Sequence, residues 1–270
     1  MTEIDADRLR SELAGSYARI DVVPSTGSTN ADLLASASGG APDRAVLIAE
    51  EQTAGVGRRA RSWVSPKGTG IYLSVLLRPR GVAFADIGTL AIVAGLAAMD
   101  LTSTLGVDAA LKWPNDVLAG PDRGKCAGIL AEAVTDDELA VVLGIGLNVR
   151  PLGEDVPAAP GGLRPTSLAE HGASTTDRTD IALRLLAAFA GREARWRAAR
   201  GNLAKAGLLE DYRAHCETLG RQVRVLLPGD QSLVGKAEEV DSSGQLIVVS
   251  GDGRRHTVFA GDVVHVRAVP

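Results

Sequence analysis

The 270-residue chain predicts an α+β fold, in which a central mixed β-sheet flanked by helices is followed by a small C-terminal β-barrel. Three observations carry this. Short apolar runs rich in Val, Leu and Ile recur up to residue 148, bounded by glycine and proline as buried strands are. Alanine- and leucine-rich segments with helical spacing lie between and after them. From Arg221 onward the pattern changes to short β-rich runs separated by PGD, DSSG and GDG turn signals.

Taken in order, residues 3–15 predict a short helix and "ARIDVV" a strand ending at Pro24. "GSTNADLLASA" reads as a helix start, with Ser28, Thr29 or Asn30 placed to accept from free backbone amides. "AVLIAE" (45–50) and "GIYLSVLL" (70–77) are buried strands on either side of a long loop. One long helix is expected from Phe84 to Leu105, then a strand pair, "DAALKWP" and "NDVLAG", and two aliphatic strands, "KCAGILAEAV" and "LAVVLGIGLNV". "PAAPGGLRPT" (157–166) is a loop, and helices near 179–200 and 202–219 close a first domain, 1–219, ahead of a barrel domain, 220–270.

Composition narrows the function. A content of 45% hydrophobic and 23% charged residues suits a globular protein, and 3% aromatic leaves aliphatic side chains to fill the core. A net charge of −4 argues against coating nucleic acid or an anionic membrane, so neither is an expected partner. Cys126 and Cys216 match neither a disulfide framework nor a CxxC metal site, which points to a reduced, cytoplasmic setting. The N-terminus carries acids from the start and lacks the basic-then-apolar pattern of a signal peptide.

The loop "TAGVGRRARSWVSPKGTG" (53–70) packs four glycines and four basic side chains into 18 residues. "GVGRRA" (55–60) fits GxGxxA, but a dinucleotide-binding turn must open a helix, and this loop runs on through Pro66 and Gly68 into a strand. "GPDRGKC" (120–126) is one residue short of a Walker loop and has Cys126 where the metal-binding hydroxyl belongs, so a hairpin turn accounts for it. The amides near Gly55 and Gly57, with Arg58 and Arg61 beside them, can instead wrap an anion, and the indole of Trp63 suits a planar partner such as a purine. Without that anion the arginines would only repel one another.

Two more segments converge on this chemistry. "LKWPNDVL" (111–118) sets a cation, an aromatic, an amide and a carboxylate close together: Asp116 could hold Mg²⁺ and Lys112 could reach a phosphate. The plainer alternative is a strand-edge ion pair between Lys112 and Asp116, with Trp113 in the core. In "GKCAGILAE" (124–132), Lys125 opens an otherwise apolar strand, so its ammonium either snorkels to solvent or points into a cleft.

Together GSTN, "EEQTAGVGRRARSW", "LKWPNDVL", "KCAGILAE" and "GIGLNV" resemble, in order and spacing, the biotin protein ligases, over roughly residues 20–150. That resemblance implies a class II synthetase-like biotin–lipoate ligase fold with an SH3-like C-terminal domain. It implies a biotin pocket lined by Ser28, Thr29, Asn30, Gln52, Gly55, Val56, Gly57, Arg58, Lys125 and Gly128. ATP would be held by Arg58, Arg61, Trp63, Lys112, Asn115 and Asn148, with Mg²⁺ on Asp116, and Lys125, Arg58 and Arg61 would be catalytic. The implied reaction forms biotinyl-AMP and passes biotin to a lysine of biotin carboxyl carrier domains, the enzyme being a monomer or weak homodimer. Val56 and Ala60 depart from the family's usual GRGRxGR, where Arg and Gly stand. A lipoate or octanoate ligase or transferase is the alternative on the same fold. A DNA-binding repressor is disfavoured, since some 25 residues precede GSTN where a helix-turn-helix domain takes about 60.

Overall fold

Seven of the apolar runs form one sheet: β1 (Arg19–Val23), β2 (Ala45–Ala49), β3 (Gly70–Leu77), β4 (Ala109–Lys112), β5 (Asp116–Ala119), β6 (Gly124–Thr135) and β7 (Leu139–Asn148). The computed structural model describes residues 3–64, 66–135, 138–153, 156–158, 162–227, 231–259 and 261–265. The expected PGD turn (228–230) and part of the 157–166 loop lie outside the described residues. The strand order is β1-β2-β3-β7-β6-β5-β4. β1 and β2 pair in parallel and the other neighbours antiparallel, so the sheet is mixed as expected. The GPDR segment is indeed the β5–β6 turn, with Gly120 and Arg123 at φ of 73° and 51°.

Each face of the sheet has its own cover, and β7 shows why. Its odd positions Val141, Leu143, Ile145 and Leu147 lie in the main core, under α3 (Leu90–Thr104) and α4 (Arg178–Ala198). Its even positions begin with Ala140 and Val142, which pack with Leu33 and Ala37 of α2 (Thr29–Ser38). They continue as Gly144, Gly146 and Asn148, where the strand's alternation carries no bulky side chain on that face. The sheet is thus fully packed on one side and left with a bare strip on the other.

Phe84–Thr104 is long and apolar enough to cross a membrane, yet most of it is buried by the sheet and α4, as a core helix is. It differs from the expected single helix: Phe84–Thr89 is a 3₁₀ turn, and α3 starts only at Leu90. The N-terminal helix is shorter too: α1 (Ala6–Glu12) is capped by Asp5, and the chain turns at Gly15, φ 84°. In 202–219 only α5 (Leu209–His215) is α-helical. Gly207, at φ 65°, precedes it, and beyond it Cys216 bridges to Leu111 while the Glu217 amide donates to the Leu111 carbonyl at 2.8 Å. Pairing with β4 outcompetes continuation of the helix.

The C-terminal strands β8 (Gln222–Leu226), β9 (Ser232–Val240), β10 (Leu246–Ser250), β11 (Arg255–Val258) and β12 (Asp262–His265) form an antiparallel sheet in the order β11-β10-β9-β8-β12. Among the described residues β11 and β12 do not pair, so the expected barrel is observed as an open sheet. Its Val223, Val225, Ala237 and Val248 belong to the same hydrophobic cluster as α3 and β7. Trp113, 2% exposed, donates from Nε1 to the Gly244 carbonyl at 2.9 Å and fastens the two sheets together.

One buried ion pair ties down the N-terminus. Glu50, just after β2, accepts from the Ile4 amide at 2.7 Å and from Arg178 Nη1 of α4 at 2.5 Å, with both charged side chains buried. Replacing the carboxylate by a neutral amide breaks this buried ion pair, so Glu50→Gln is expected to cost about 3–5 kcal/mol of stability. Urea unfolding reads this directly, and a midpoint equal to that of the unchanged protein would refute it.

Candidate active site

A cavity of about 470 Å³ lies over the bare strip. Its floor is glycine. Gly128 of β6 pairs with Gly146 of β7, and Gly144 pairs with Ser74 of β3. A methyl group at Gly146 would stand 2.5 Å from the Trp63 indole, one at Gly128 3.0 Å from the same ring, and one at Gly144 2.3 Å from Asn30 Oδ1. These positions therefore require glycine because other side chains already lie flat across them.

At the inner end, Ser28 caps α2 by accepting from the Ala31 amide, which turns Thr29 and Asn30 towards the floor. Gln52 Oε1 accepts from the Thr29 amide at 2.9 Å and from its hydroxyl at 3.1 Å. The Asn30 amide is gripped from behind: Nδ2 donates to Glu132 at 2.7 Å, and Oδ1 accepts from Ser74 Oγ at 2.6 Å.

The 53–70 loop forms the lid. The Gly57 amide donates to the Arg61 carbonyl at 2.7 Å, the Trp63 amide to the Gly55 carbonyl at 2.8 Å, and Val56 bridges Ser62. Between them Arg59 and Ala60 sit at φ 56° and 55°. This left-handed region costs a non-glycine residue about 1–2 kcal/mol, which gives a physical reason for the glycine usual at position 60. Val56 is exposed, and its backbone rather than its side chain shapes the turn.

The lid's arginines do not lack a counter-charge. Arg58, Arg59 and Arg61 converge on Asp262, the first residue of β12, with Arg61 hydrogen-bonded to it and Arg59 at 3.3 Å. Arg58 also donates to the Gly261 carbonyl at 3.1 Å, and Arg59 to the Leu226 carbonyl at 3.0 Å. Burial pushes the Asp262 carboxyl up, but the Arg61 hydrogen bond and the three guanidinium charges outweigh it and hold the group below its ordinary value. Burial likewise lowers Arg58.

Opposite the lid, Asp116 takes two ammonium groups: Lys125 Nζ at 2.6 Å and Lys112 Nζ at 3.4 Å. Lys112 and Asp116 face each other across the β4–β5 hairpin. Burial pushes Lys112 below the ordinary lysine value; Asp116 resists the shift and Lys125 adds to it. Lys125 Nζ also lies 5.4 Å from the centre of the Trp63 ring, a cation–π distance. Asp116 already serves two cations, and no group of three or more His, Cys, Asp or Glu residues converges among the described residues. A Mg²⁺ ion here would therefore take most of its oxygens from nucleotide phosphates and water rather than from the protein. Asn115 Nδ2 donates to the Ile129 carbonyl at 2.6 Å, and Asn148 Nδ2 to the Thr166 carbonyl at 2.9 Å. Asn148 Oδ1 is buried in the cavity wall with no hydrogen-bond partner among the described residues.

The structure thus gathers Ser28, Thr29, Asn30, Gln52, Val56, Gly57, Arg58, Arg61, Trp63, Lys112, Asn115, Asp116, Lys125, Gly128 and Asn148 around one cavity; Gly55 anchors the lid behind it. Sequence reasoning missed Ser74, Glu132, Gly144, Gly146 and Asp262. The two glycines, at alternate positions in one strand, were the readable signal; Asp262 had none.

The fold and this cavity can be set beside known proteins. Residues 21–148 match the biotin/lipoate A/B protein ligase family, and 218–266 match the biotin protein ligase C-terminal domain. The chain is 46% identical to the biotin–(acetyl-CoA-carboxylase) ligase of Mycobacterium tuberculosis, over 98% of this chain and 96% of that one. The chain belongs to the biotin protein ligases. It is also 35% identical to the Paracoccus denitrificans enzyme of the same name, over 85% of this chain and 94% of that one. The biotin protein ligase of Aquifex aeolicus, solved with biotin and ATP, shares the fold at a TM-score of 0.74 and 24% identity, covering 93% of this chain and 100% of that one.

The floor makes a test. Gly146→Ala should drive Trp63 off β7 and shift the tryptophan emission to longer wavelength, because the other two indoles, Trp113 and Trp196, are fully buried. An unchanged spectrum in the folded variant would show that Trp63 does not rest there.

Proposed function

We propose that this chain activates biotin with ATP as biotinyl-AMP and transfers the biotin to a lysine of biotin carboxyl carrier domains. One observation carries the reading: the order of chemistry along one face of β7. Asn30 lies over Gly144, Trp63 over Gly146, and Asn148 ends the strand. Four residues of strand span about 13 Å. Over that length the cavity passes from the neutral hydrogen-bonding groups of Thr29, Asn30 and Gln52, past the Trp63 indole over Gly128 and Gly146, to a cluster of cations. A ligand with a ureido head, an apolar body and a carboxylate tail matches that sequence. The dithiolane head of lipoate offers neither an N–H nor a carbonyl to the polar inner end around Thr29 and Asn30, which weighs against the lipoate alternative.

In the first step the biotin carboxylate attacks the α-phosphorus of ATP; a P–O bond forms and pyrophosphate leaves. Two anions must meet, and Lys125, Arg58 and Arg61 offset their repulsion and stabilise the charge developing on phosphorus. In the second step the carrier amine attacks the mixed anhydride carbonyl and AMP leaves. Trp63 covers the adenine, and Asn148 Oδ1, an acceptor awaiting a donor, suits its exocyclic amine. Asp116 is the counter-ion that Lys112 and Lys125 share, and no step is assigned to a protein-bound magnesium ion. The C-terminal sheet, read as the SH3-like domain from residue 220, closes the phosphate end through Asp262. A cytoplasmic setting accords with two buried free cysteines.

Biotin-dependent release of pyrophosphate from ATP tests the activity. Lys125→Ala should slow biotinyl-AMP formation by about tenfold to a hundredfold, while Lys67→Ala, in the lid but outside the cavity wall, should do much less. Equal losses would contradict the role given to Lys125. GTP, which carries a carbonyl where adenine carries an amine, should support the first step more than about tenfold less well than ATP. Equal use of both nucleotides would remove Asn148 from the base site.

A further inference from the structure

The polar network behind Thr29 has a direction, and Glu132 sets it. Asn30 is 6% exposed and its amide is used at both ends, with Nδ2 on Glu132 Oε2 at 2.7 Å and Oδ1 towards Ser74 Oγ at 2.6 Å. A carboxylate can only accept, so the amide must present its NH₂ to Glu132 and its oxygen to Ser74. Ser74 is fully buried and has one hydroxyl proton, with two oxygens in reach: Asn30 Oδ1 at 2.6 Å and Thr29 Oγ1 at 2.8 Å. The amide oxygen has no proton to give, so the Ser74 proton goes to it. Thr29 must then spend its own proton inside the network, on Ser74 or on Gln52 Oε1 at 3.1 Å. Its remaining lone pair faces the cavity, which Thr29 lines.

We infer that Glu132, which is not among the cavity-lining residues, is a positioning residue that makes Thr29 an obligate acceptor, selecting a ligand that presents an N–H at the inner end of the cavity, as a ureido ring does. With the carboxylate removed, Asn30 can turn over and donate to Ser74, whose proton then passes to Thr29. The threonine proton is then held inside the network by the 3.1 Å contact to Gln52 Oε1 alone, and when it turns into the cavity it meets a ligand N–H donor to donor. The charge of Glu132 therefore acts on the ligand through three intervening side chains, none of which it replaces. This inference rests on the biotin reading of the cavity.

Glu132→Gln keeps the size of the side chain and loses the fixed direction. The test is calorimetric titration of the full chain with biotin and with the two singly N-methylated ureido analogues. The unchanged protein should bind biotin and reject one methyl isomer. Glu132→Gln should weaken biotin binding about fivefold to twentyfold, as expected for losing one well-placed hydrogen bond, and should shrink the penalty against that isomer. The KM for ATP should not move, which a general loosening of the fold would not allow. Ser74→Ala, which interrupts the same relay, should give the same pattern and serves where Glu132→Gln fails to fold. Failure of the unchanged protein to bind biotin would overturn the biotin reading itself. Normal biotin affinity and undiminished isomer selectivity in folded Glu132→Gln or Ser74→Ala would overturn the role of Glu132 alone.

Discussion

Four cations line one cleft with a fifth, Arg59, beside it, and two aspartates hold them there. Arg58, Arg59 and Arg61 meet on Asp262, and Lys112 and Lys125 meet on Asp116. Unit charges a few ångströms apart repel by several kcal/mol at protein-like dielectric, so such a set persists without an anion only where carboxylates are built in among it. That requirement explains features far from the cleft. β12 must reach the lid, so the C-terminal sheet packs into the main core rather than swinging free, and Trp113 pins it by its hydrogen bond to Gly244. The β4–β5 hairpin must set Lys112 opposite Asp116, which its register does.

Two aspartates that neutralise five cations also leave the cleft net positive. An incoming carboxylate and polyphosphate complete the neutralisation, and an anhydride between them presents its charge where the guanidiniums can share it. Under the proposed reading Asp262 is a stand-in for phosphate: it gathers the arginines beforehand, so less ordering remains to be done when the nucleotide arrives. The glycine floor serves the same end from below, letting Trp63 lie against β6 and β7 beside Lys125.

Much of this was legible in the sequence, and what was not has physical reasons. Strands such as 70–77 were readable because every residue is buried and both ends carry turn residues. The GSTN, lid and KWPND residues and Lys125 were readable as a site because they break an apolar pattern with chemistry the fold alone does not need. The helix expected over 202–219 shrank to Leu209–His215 because Cys216 and Glu217 take up tertiary pairing with β4, which no local propensity encodes. The 3₁₀ start at Phe84 and the open C-terminal sheet were likewise beyond local signals. Asp262 lies about two hundred residues from the arginines it serves and looks in the sequence like an ordinary turn acid. Glu132 looks like the solvent side of a strand until Asn30 is seen against it.

The central claim, that the cation cluster is the adenylate site with Asp262 in place of phosphate, is tested most directly by a crystal structure with a non-hydrolysable biotinyl-AMP analogue. The account predicts Arg58 and Arg61 within about 3 Å of the oxygens at the phosphate position, the ureido ring against Thr29, and Asp262 released by at least one of the two arginines. An analogue bound with its phosphate position away from the loop, and all three arginines still on Asp262, would contradict it.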